Sequence, residues 1–407
     1  MRKTTEVAVI AELSQNWLLY AAIPVIGALI GYVTKRVAIE MMFRPVRRTL
    51  GWQGVVPKHS GRIAGIAAEL LTSRLIDPRE VLDRIDVDRI NTEIEQPLLN
   101  AVDAIARDVI TEHHPTIWES LPPLAQDMVI KQVQAASPHI VAQLLSELRE
   151  NIDAVVDVKQ FALAQLTRDD DRLVRIVREL ARPELTFIAR SGIWLGFVIG
   201  MAQAVVWALT KEPLVMPIFG AAIGLLTDWL AITLVFRPRE QVSILGWRVQ
   251  GSFHRRRTEV AHRCARLIAD EVLTVPNMLA AVLSGPRADR MLALIQDVVA
   301  DAVNEQTRVF RPLLAATGGN VAVGQLHRAA ALKAMPVIPD AARNANGYLT
   351  NAMDVAGMIE RRMLALPATE YESVLRPAFK QEEPKLIAVG GVIGAVIGEL
   401  QLLLLLA

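Results

Sequence analysis

The sequence predicts an all-α integral membrane protein with about four transmembrane helices and two extended cytoplasmic helical regions arranged as parallel internal repeats. The first observation is that 52% of the 407 residues are hydrophobic and mean hydropathy is +0.31, high for a water-soluble chain. The second is that 21% of the residues are charged, too many for a chain that lies wholly in a membrane. Apolar spans should therefore alternate with polar regions. The third is a pair of similar stretches far apart in the chain.

These two stretches, residues 27–45 and 220–238, share one pattern. Each reads Gly-x-x-x-Gly-x-x-Thr, then Ala-Ile, then Phe-Arg-Pro. After four extra residues in the second copy, Gln53-Gly54 aligns with Gln250-Gly251. The similarity covers about sixty residues of each half, which indicates a duplication and not chance composition. Because both copies run from an apolar stretch into a basic one, we expect parallel repeats related by an axis along the membrane normal.

The hydropathy pattern divides the chain into five segments. The first span is short before Lys35 and Arg36, whose long side chains can reach the headgroups and let the helix continue toward Phe43. Four predicted spans follow from the apolar runs: Trp17–Val33, Phe187–Leu209, Leu214–Phe236 and Leu386–Ala407. The predicted segments are an N-terminal segment with the first transmembrane helix (1–43), a first cytoplasmic helical region (44–186), a transmembrane hairpin (187–236), a second cytoplasmic helical region (237–385) and a C-terminal transmembrane helix (386–407).

Helical periodicity runs through both polar regions. Apolar residues recur at spacings of three and four, for example from Ile63 to Leu75. Asp77-Pro78 fits an N-cap followed by proline at the first helical position, whereas Val275-Pro276 has the proline without that cap. One stretch in each copy, from Gly51 and from Gly246, could instead form a short strand or turn.

Basic residues near the span ends predict the orientation. Residues 34–72 contain seven Lys and Arg against two Glu, and residues 237–270 contain eight Arg against three acidic residues. By the positive-inside rule both polar regions belong in the cytoplasm, with the hairpin turn and both termini on the other side. Arg2 and Lys3 count against this orientation.

Glycines spaced four residues apart mark one face of every predicted span. Such spacing lets two helix backbones approach closely, so the glycines predict helix packing; a pore or gate lined by thin helices is the alternative. The glycines concerned are Gly27, Gly31, Gly192, Gly196, Gly200, Gly220, Gly224, Gly390, Gly394 and Gly398.

Three charged residues fall within or beside the spans. Lys35 and Asp228 follow the matched threonines of the two copies, and Glu399 lies in the last span. Intramembrane charges usually face a bundle interior or an aqueous cavity, although all three could instead lie at the membrane interface. If they lie inside, Lys35 and Asp228 could pair near the axis between the repeats.

Other basic residues predict contacts with the membrane surface. Arg44 and Arg237 each precede a proline and are expected to end their spans at the headgroups. Either anionic phospholipid or a topology signal explains the remaining basic residues, which are Lys58, Arg255, Arg256 and Arg257. Because the arginine run adjoins a span, we do not expect nucleic acid as a partner.

No arrangement of residues in the sequence predicts catalysis. Glu112-His113-His114 lacks metal-ligand spacing, since adjacent helical side chains diverge by about 100°. Cys264 lacks a partner at the spacing of one helix face and is the single cysteine. We therefore expect no cofactor, no metal and no enzyme activity.

The repeated motif resembles the bacterial membrane-protein family called domain of unknown function 445. The resemblance also includes Leu375-Arg-Pro377-Ala-Phe379 before the glycine-rich last span, so it extends over most of the chain. This sequence departs from the family pattern after the motif threonine, where Asn is typical and Lys35 and Asp228 stand here. The resemblance implies a multi-pass protein of the bacterial inner (plasma) membrane and no established activity.

Two functions are compatible with these features. The first is a non-enzymatic scaffold or assembly protein whose amphipathic cytoplasmic helices self-associate or contact the membrane surface. The alternative is an oligomeric transporter or lipid conduit that uses the glycine-rich spans and the intramembrane carboxylates. A homo-oligomer embedded in the bilayer is expected in either case.

Overall fold

The computed structural model describes residues 17–49, 51–113, 115–238, 240–244, 247–249, 251–307, 328–372 and 383–406. The predicted N-terminal residues before Trp17 and the motif from Leu375 to Phe379 lie outside this described part. In chain order the named elements are α1 (Trp17–Phe43), α2 (Val55–Lys58), α3 (Ser60–Leu70), a π-helical turn (Leu71–Leu75), α4 (Pro78–Asp83), α5 (Val87–His113), α6 (Pro115–Ser120), α7 (Pro123–Val155), α8 (Val158–Thr167), α9 (Asp170–Thr210), α10 (Val215–Phe236), β1 (Val242–Ile244), β2 (Trp247–Val249), α11 (Ser252–Arg255), α12 (Arg257–Leu267), a second π-helical turn (Ile268–Val272), α13 (Val275–Ser284), α14 (Ala288–Thr307), α15 (Ile338–Asn344), α16 (Asn346–Met353), α17 (Val355–Ala365), α18 (Ala368–Glu372) and α19 (Glu383–Leu406).

The predicted all-α class is confirmed, with one small exception. In the described residues the regular β-structure is the antiparallel pair β1–β2, in which Val242 lies opposite Val249. The matching place in the first copy has a single bridge between Thr49 and Trp52. A short strand or turn was expected at both places from the sequence.

Two compact units share the chain, and each draws on separate segments. The membrane unit comprises Met1–Ala67, Leu166–Cys264 and Met363–Ala407, and the helical unit comprises Ala68–Gln165 and Ala265–Arg362. This division follows packing and so differs from the predicted segments, which followed hydropathy, because the ends of both polar regions pack with the apolar helices. Thus α9 runs without a break through the boundary that the sequence placed between 186 and 187.

Four helices of the membrane unit are long and apolar enough to cross a bilayer. Within the described residues they are Tyr20–Phe43, Asp171–Thr210, Val215–Val235 and Glu383–Leu403. The first reaches Phe43 as predicted, but not because Lys35 extends to the headgroups, since the Lys35 side chain is buried. About 20 apolar residues suffice to span the hydrocarbon core, so the 41-residue α9 extends well beyond it.

Glycine faces hold these four helices together in two pairs. A β-carbon on Gly27 of α1 would lie 2.7 Å from the carbonyl oxygen of Gly196 on α9. On α10 and α19, a β-carbon on Gly220 would collide with the carbonyl oxygen of Gly394. The glycines therefore face partner helices of the same chain, which is the close-packing geometry that small residues permit.

The turn after each span uses the same hydrogen bonds in both copies. The Gly54 amide donates to the Pro45 carbonyl at 2.9 Å, and the Gly251 amide donates to the Pro238 carbonyl at 2.9 Å. A β-carbon on Gly54 would lie 2.9 Å from the backbone nitrogen of Arg44. The two chain segments can therefore pass this closely only because residue 54 has no side chain.

Helix caps in the helical unit correct one detail of the sequence analysis. Asp77 caps α4 as predicted, accepting from the Arg79 amide at 3.0 Å. The helix containing Pro276 is also capped, by Thr274, whose hydroxyl oxygen accepts from the Asn277 amide at 3.3 Å. The cap was missed because it lies one residue further from the proline than Asp77 does from Pro78.

The helical unit packs its long amphipathic helices around one apolar interior. Helix α5 packs on α7, α14 packs on α7, and α15 packs on α5. A core cluster on one side of this interior consists of Val155, Leu283, Met291, Ile295 and Ala331.

Candidate functional site

A buried ion pair joins the two copies inside the membrane unit. Lys35 on α1 and Asp228 on α10 lie with Nζ and Oδ1 3.2 Å apart. Their side chains are 0% and 6% exposed, so the pair is enclosed by protein and does not project to the surface. Residues in matching positions of the repeated motif thus meet across the bundle.

Two glycines make room for this pair. A β-carbon on Gly192 of α9 would lie 2.8 Å from Cδ of Lys35. A β-carbon on Gly390 of α19 would overlap the carboxylate of Asp228. These glycines, which the sequence assigned to helix packing alone, therefore also clear the space that each charged side chain needs.

A small pocket adjoins the ion pair. Its volume is about 30 Å³, and Lys35, Asp228 and Glu383 are its ionisable lining residues among apolar side chains. Asp228 Oδ2 is buried and accepts no hydrogen bond from the described residues. A pocket of this size with polar partners holds about one water molecule.

A second polar contact in the bundle was missed by the sequence analysis. Gln203 on α9 and Gln401 on α19 are both buried, with Nε2 of Gln203 3.5 Å from Oε1 of Gln401. The Gln203 amide also lies 3.0 Å from the sulfur of Met216. Each glutamine follows the last glycine of its span, Gly200 or Gly398, by three residues. That shared spacing was the signal that could have identified the pair.

Glu399 does not take the interior position that was one of its two expected placements. It lies exposed on α19. The packed face of this helix is set by Gly390, Gly394 and Gly398, and the next residue points about 100° away from Gly398. Glu399 therefore belongs to the outer surface of the bundle.

The basic residues assigned to anionic lipid divide into two groups. Arg44, Lys58, Arg237 and Arg255 are exposed, as that assignment requires. Arg256 instead pairs with Glu259, its Nε 2.8 Å from Oε2. The guanidinium of Arg257 donates to the Leu364 carbonyl at 2.9 Å and to the Leu366 carbonyl, so it binds the end of α17. These two arginines therefore have intrachain partners, whichever of lipid contact and topology signal explains their place in the sequence.

Cys264 lies near an aromatic stack within the membrane unit. Phe253 and Tyr371 stack with ring centroids 4.6 Å apart, and Arg257 covers the Tyr371 ring at 4.9 Å. Burial raises the pKa of the Cys264 thiol to about 12, so the reactive thiolate is scarce at neutral pH. No group of three or more His, Cys, Asp or Glu within the described ranges is arranged to hold a metal ion.

The helical unit contains an apolar cavity of about 880 Å³ that is partly open to solvent. Its wall consists of aliphatic side chains from α5, α7, α13, α14, α15 and α16, with Phe161 as the aromatic member. Among the described lining residues Ser137 is the single polar side chain, and its hydroxyl donates to the Gln134 carbonyl at 2.7 Å. The described wall therefore offers apolar contact and no unpaired side-chain donor or acceptor.

The cavity extends along α5. It is lined on this helix from Ile90 to Ile110, a rise of about 30 Å at about 1.5 Å per residue. A hydrocarbon chain lying along this wall would find apolar contacts over its length.

Residues 330–342 contribute one wall of the cavity and are tied to α5 by charge. Ala330 and Ala334 line the cavity, and between them Lys333 donates to Asp108 and, at 2.7 Å, to Glu112 of α5. Glu112, which the sequence analysis judged unsuited to metal binding, therefore takes part in an ion pair that holds the cavity wall.

Comparisons with known proteins agree with a membrane protein. A UPF0754 membrane protein of Nostoc punctiforme is 29% identical over 134 residues, which are 26% of this chain and 32% of that protein. A UPF0754 membrane protein of Synechococcus sp. strain JA-3-3Ab is 27% identical over 178 residues, 37% of this chain and 42% of that protein. One of Synechococcus elongatus is 39% identical over 74 residues, 16% of this chain and 17% of that protein.

The matched regions span less than half the length of these relatives. No protein-family model matches the chain, and no solved structure matches it. The relatives support similarity to a family of bacterial membrane proteins, while the narrower resemblance to domain of unknown function 445 stays an expectation from the motif. Together with the four apolar helices, the relatives indicate a multi-pass membrane protein.

Proposed function

We propose that this protein is a non-enzymatic membrane protein that binds the hydrocarbon chains of lipids in its helical unit. The observation that carries the proposal is the cavity of about 880 Å³ with its aliphatic wall. Ligand pockets in proteins measure about 300–1,000 Å³, so this cavity has the size of a ligand site.

The energetics of the cavity support an apolar occupant. Apolar wall that stays in contact with water forgoes the free energy of burial, about 25 cal/mol per Å². Water would bind such a wall weakly, since an ordered water molecule needs two to four polar partners. A hydrocarbon chain would make van der Waals contact with the wall, and its own apolar surface would be removed from water.

Membrane lipid is the apolar compound that best fits the cavity. The same chain carries four helices suited to a bilayer, so lipid surrounds part of the protein at all times. Because Ser137 is the one polar side chain of the described wall, a charged headgroup would find no partner inside. The acyl chains would enter the cavity and the headgroup would remain at its opening. The lipid-conduit alternative of the sequence analysis used the glycine-rich spans and the intramembrane carboxylates, whereas this proposal places lipid in the helical unit.

Photo-cross-linking tests the proposal on the full chain. The probe is a phosphatidylcholine with a diazirine on one acyl chain, added to the purified protein in detergent and mapped by mass spectrometry. We expect cross-linked peptides from α5 and α7 in addition to those from the membrane spans. Ala106→Phe, which fills part of the cavity, should reduce the α5 and α7 cross-links. The matched control is Ala104→Phe, on the exposed face of the same helix, which should leave them unchanged. Cross-links confined to the spans, or equal labelling in both variants, would contradict the proposal.

A scaffold role is the second candidate, and an exposed apolar patch favours it. Leu124 and Met128 lie one turn apart on α7 and are 76% and 65% exposed. Such side chains fit a membrane surface or a second copy of the chain. Replacing both with Gln, which removes the apolar surface without adding charge, should reduce co-sedimentation with anionic vesicles or the mass measured by native mass spectrometry. An unchanged result in both measurements would remove the support for this role.

We further propose that the protein resides in the bacterial inner membrane with its helical unit in the cytoplasm. The support is the excess of Lys and Arg after the first and third spans. Anionic phospholipid is the proposed partner of the exposed residues Arg44, Lys58, Arg237 and Arg255. Homo-oligomerisation would have to use surfaces other than the glycine faces, because those faces pack within one chain.

A further inference from the structure

We propose that Asp228 is a proton-binding site inside the membrane unit, served by a water molecule in the small pocket beside it. The proposal is independent of lipid binding, since its residues all lie in the membrane unit. It rests on the buried ion pair, on the volume of the pocket and on an unpaired carboxylate oxygen.

The two oxygens of Asp228 have different surroundings. Oδ1 accepts a hydrogen bond from Lys35 Nζ at 3.2 Å. Oδ2 is buried, and none of the described residues donates to it. Buried carboxylate oxygens normally have a partner, and here the adjoining pocket of about 30 Å³ has the volume of one water molecule. A water there can donate to Oδ2 and find further polar partners in Lys35 and Glu383.

Glu383 connects the pocket to the surface. It is the first residue of α19 and is half-buried, with the pocket on its inner side. The charged lining groups are Lys35 from α1, Asp228 from α10 and Glu383 from α19, whereas α9 contributes the apolar residues Leu185 and Ile188. The half-buried carboxylate of Glu383 and the buried one of Asp228 therefore line the same pocket.

The proton transfer balances without any other reactant. A hydronium ion in solution gives its proton to the carboxylate of Glu383. The Glu383 carboxyl donates a proton to the pocket water, and that water passes one of its own to Asp228 Oδ2. Glu383 returns to a carboxylate, the water is regenerated and Asp228 gains an O–H bond. The net change is one bound proton, which removes the negative charge opposite Lys35. Proton uptake thus weakens the one charged contact between α1 and α10 found among the described residues.

Infrared spectroscopy of the full chain in phosphatidylcholine vesicles tests the site. On moving from alkaline to acidic buffer, the parent should gain a C=O stretching band of a protonated carboxyl group in an apolar setting. Asp228→Asn should lose this band. Glu399→Gln, which removes the exposed carboxylate of the same bundle, should keep it. Lys35→Met should let the band persist into more alkaline buffer, because the neighbouring positive charge that favours the carboxylate is gone.

A second measurement tests the water. Ala38 lines the pocket, so Ala38→Leu should fill it and slow hydrogen–deuterium exchange of the carboxyl band several-fold. Val37→Leu, at an exposed position next to it, should exchange at the parent rate. Identical bands in the parent and Asp228→Asn would overturn the proposal, and so would parent-like exchange in Ala38→Leu. If Asp228→Asn fails to fold, the double variant with Lys35→Met shows the same loss of the band. Acyl-chain cross-linking of the helical unit should be unchanged throughout, which separates this site from the proposed lipid function.

Discussion

Removing either partner of the Lys35–Asp228 pair should destabilise the membrane unit strongly. The two charges lie 3.2 Å apart with side chains 0% and 6% exposed. At an effective dielectric constant of about 20 their attraction is about 5 kcal/mol, most of which offsets the loss of hydration on burial. Lys35→Met and Asp228→Asn should each leave one buried charge without a partner, at about 3–5 kcal/mol per single variant.

The double variant should recover much of this loss, because neither charge then remains. We therefore expect the double variant to lose less stability than either single variant, and a double-mutant cycle isolates this coupling from the separate effects of the two substitutions. The assay is equilibrium unfolding in mixed detergent micelles, followed by circular dichroism, for the parent and the three variants. Glu399→Gln is the control, since its side chain lies on the outer surface and should change the unfolding free energy little.

Additive effects would refute this reasoning. If the double variant lost as much as the two single variants together, Lys35 and Asp228 would act as separate anchors. The short distance between the two groups would then not stabilise the bundle, and the case for a joint polar site between the repeats would fail.

Three further outcomes follow from the packing and the charge pattern. Gly196→Leu should lower the unfolding midpoint, because the new side chain would collide with the backbone of α1. Val198→Leu, on the exposed face of the same helix, should leave the midpoint unchanged. Equal midpoints in the two variants would show that the glycine face does not hold α1 to α9. A reporter active only outside the cytoplasm should be active when fused after Ala407 and silent when inserted near Asp170, and the reverse result would invert the proposed orientation. Cys264 should resist a maleimide in native buffer at neutral pH and react after denaturation, since burial raises its pKa to about 12; stoichiometric labelling of the native protein would contradict that burial.

Local and repeated features were predictable from the sequence. The alignment of the two copies placed Lys35 opposite Asp228, and the structure brings the two side chains together. Spacing of four residues identified the glycine faces, because helical geometry fixes which residues share a face. The same alignment could have identified Gln203 and Gln401. A neutral amide is less costly to bury than a charge, so its presence in an apolar run is a weaker indication of a polar contact.

The cavity could not be predicted in this way. Helical periodicity shows that α5 and α7 each have an apolar face, and it implies that those faces are covered. It does not show how far apart the faces are held. That distance depends on α14 and on the wall that Lys333 ties to α5, and these residues lie more than 170 positions from α5 in the chain. The volume between the helices is therefore a property of the assembled unit.

Because Lys35 of the first half pairs with Asp228 of the second half, neither half of the chain can replace the other at this contact. Two identical chains, meeting as α1 and α10 meet here, would place the same residue on both sides of the contact. Lys against Lys, or Asp against Asp, would bury two like charges, whereas one chain with two unlike copies can place opposite charges there. A chain built from two first halves would therefore repel itself at this contact, and so would one built from two second halves. The covalent link between unlike copies is what makes a charged centre possible in this bundle.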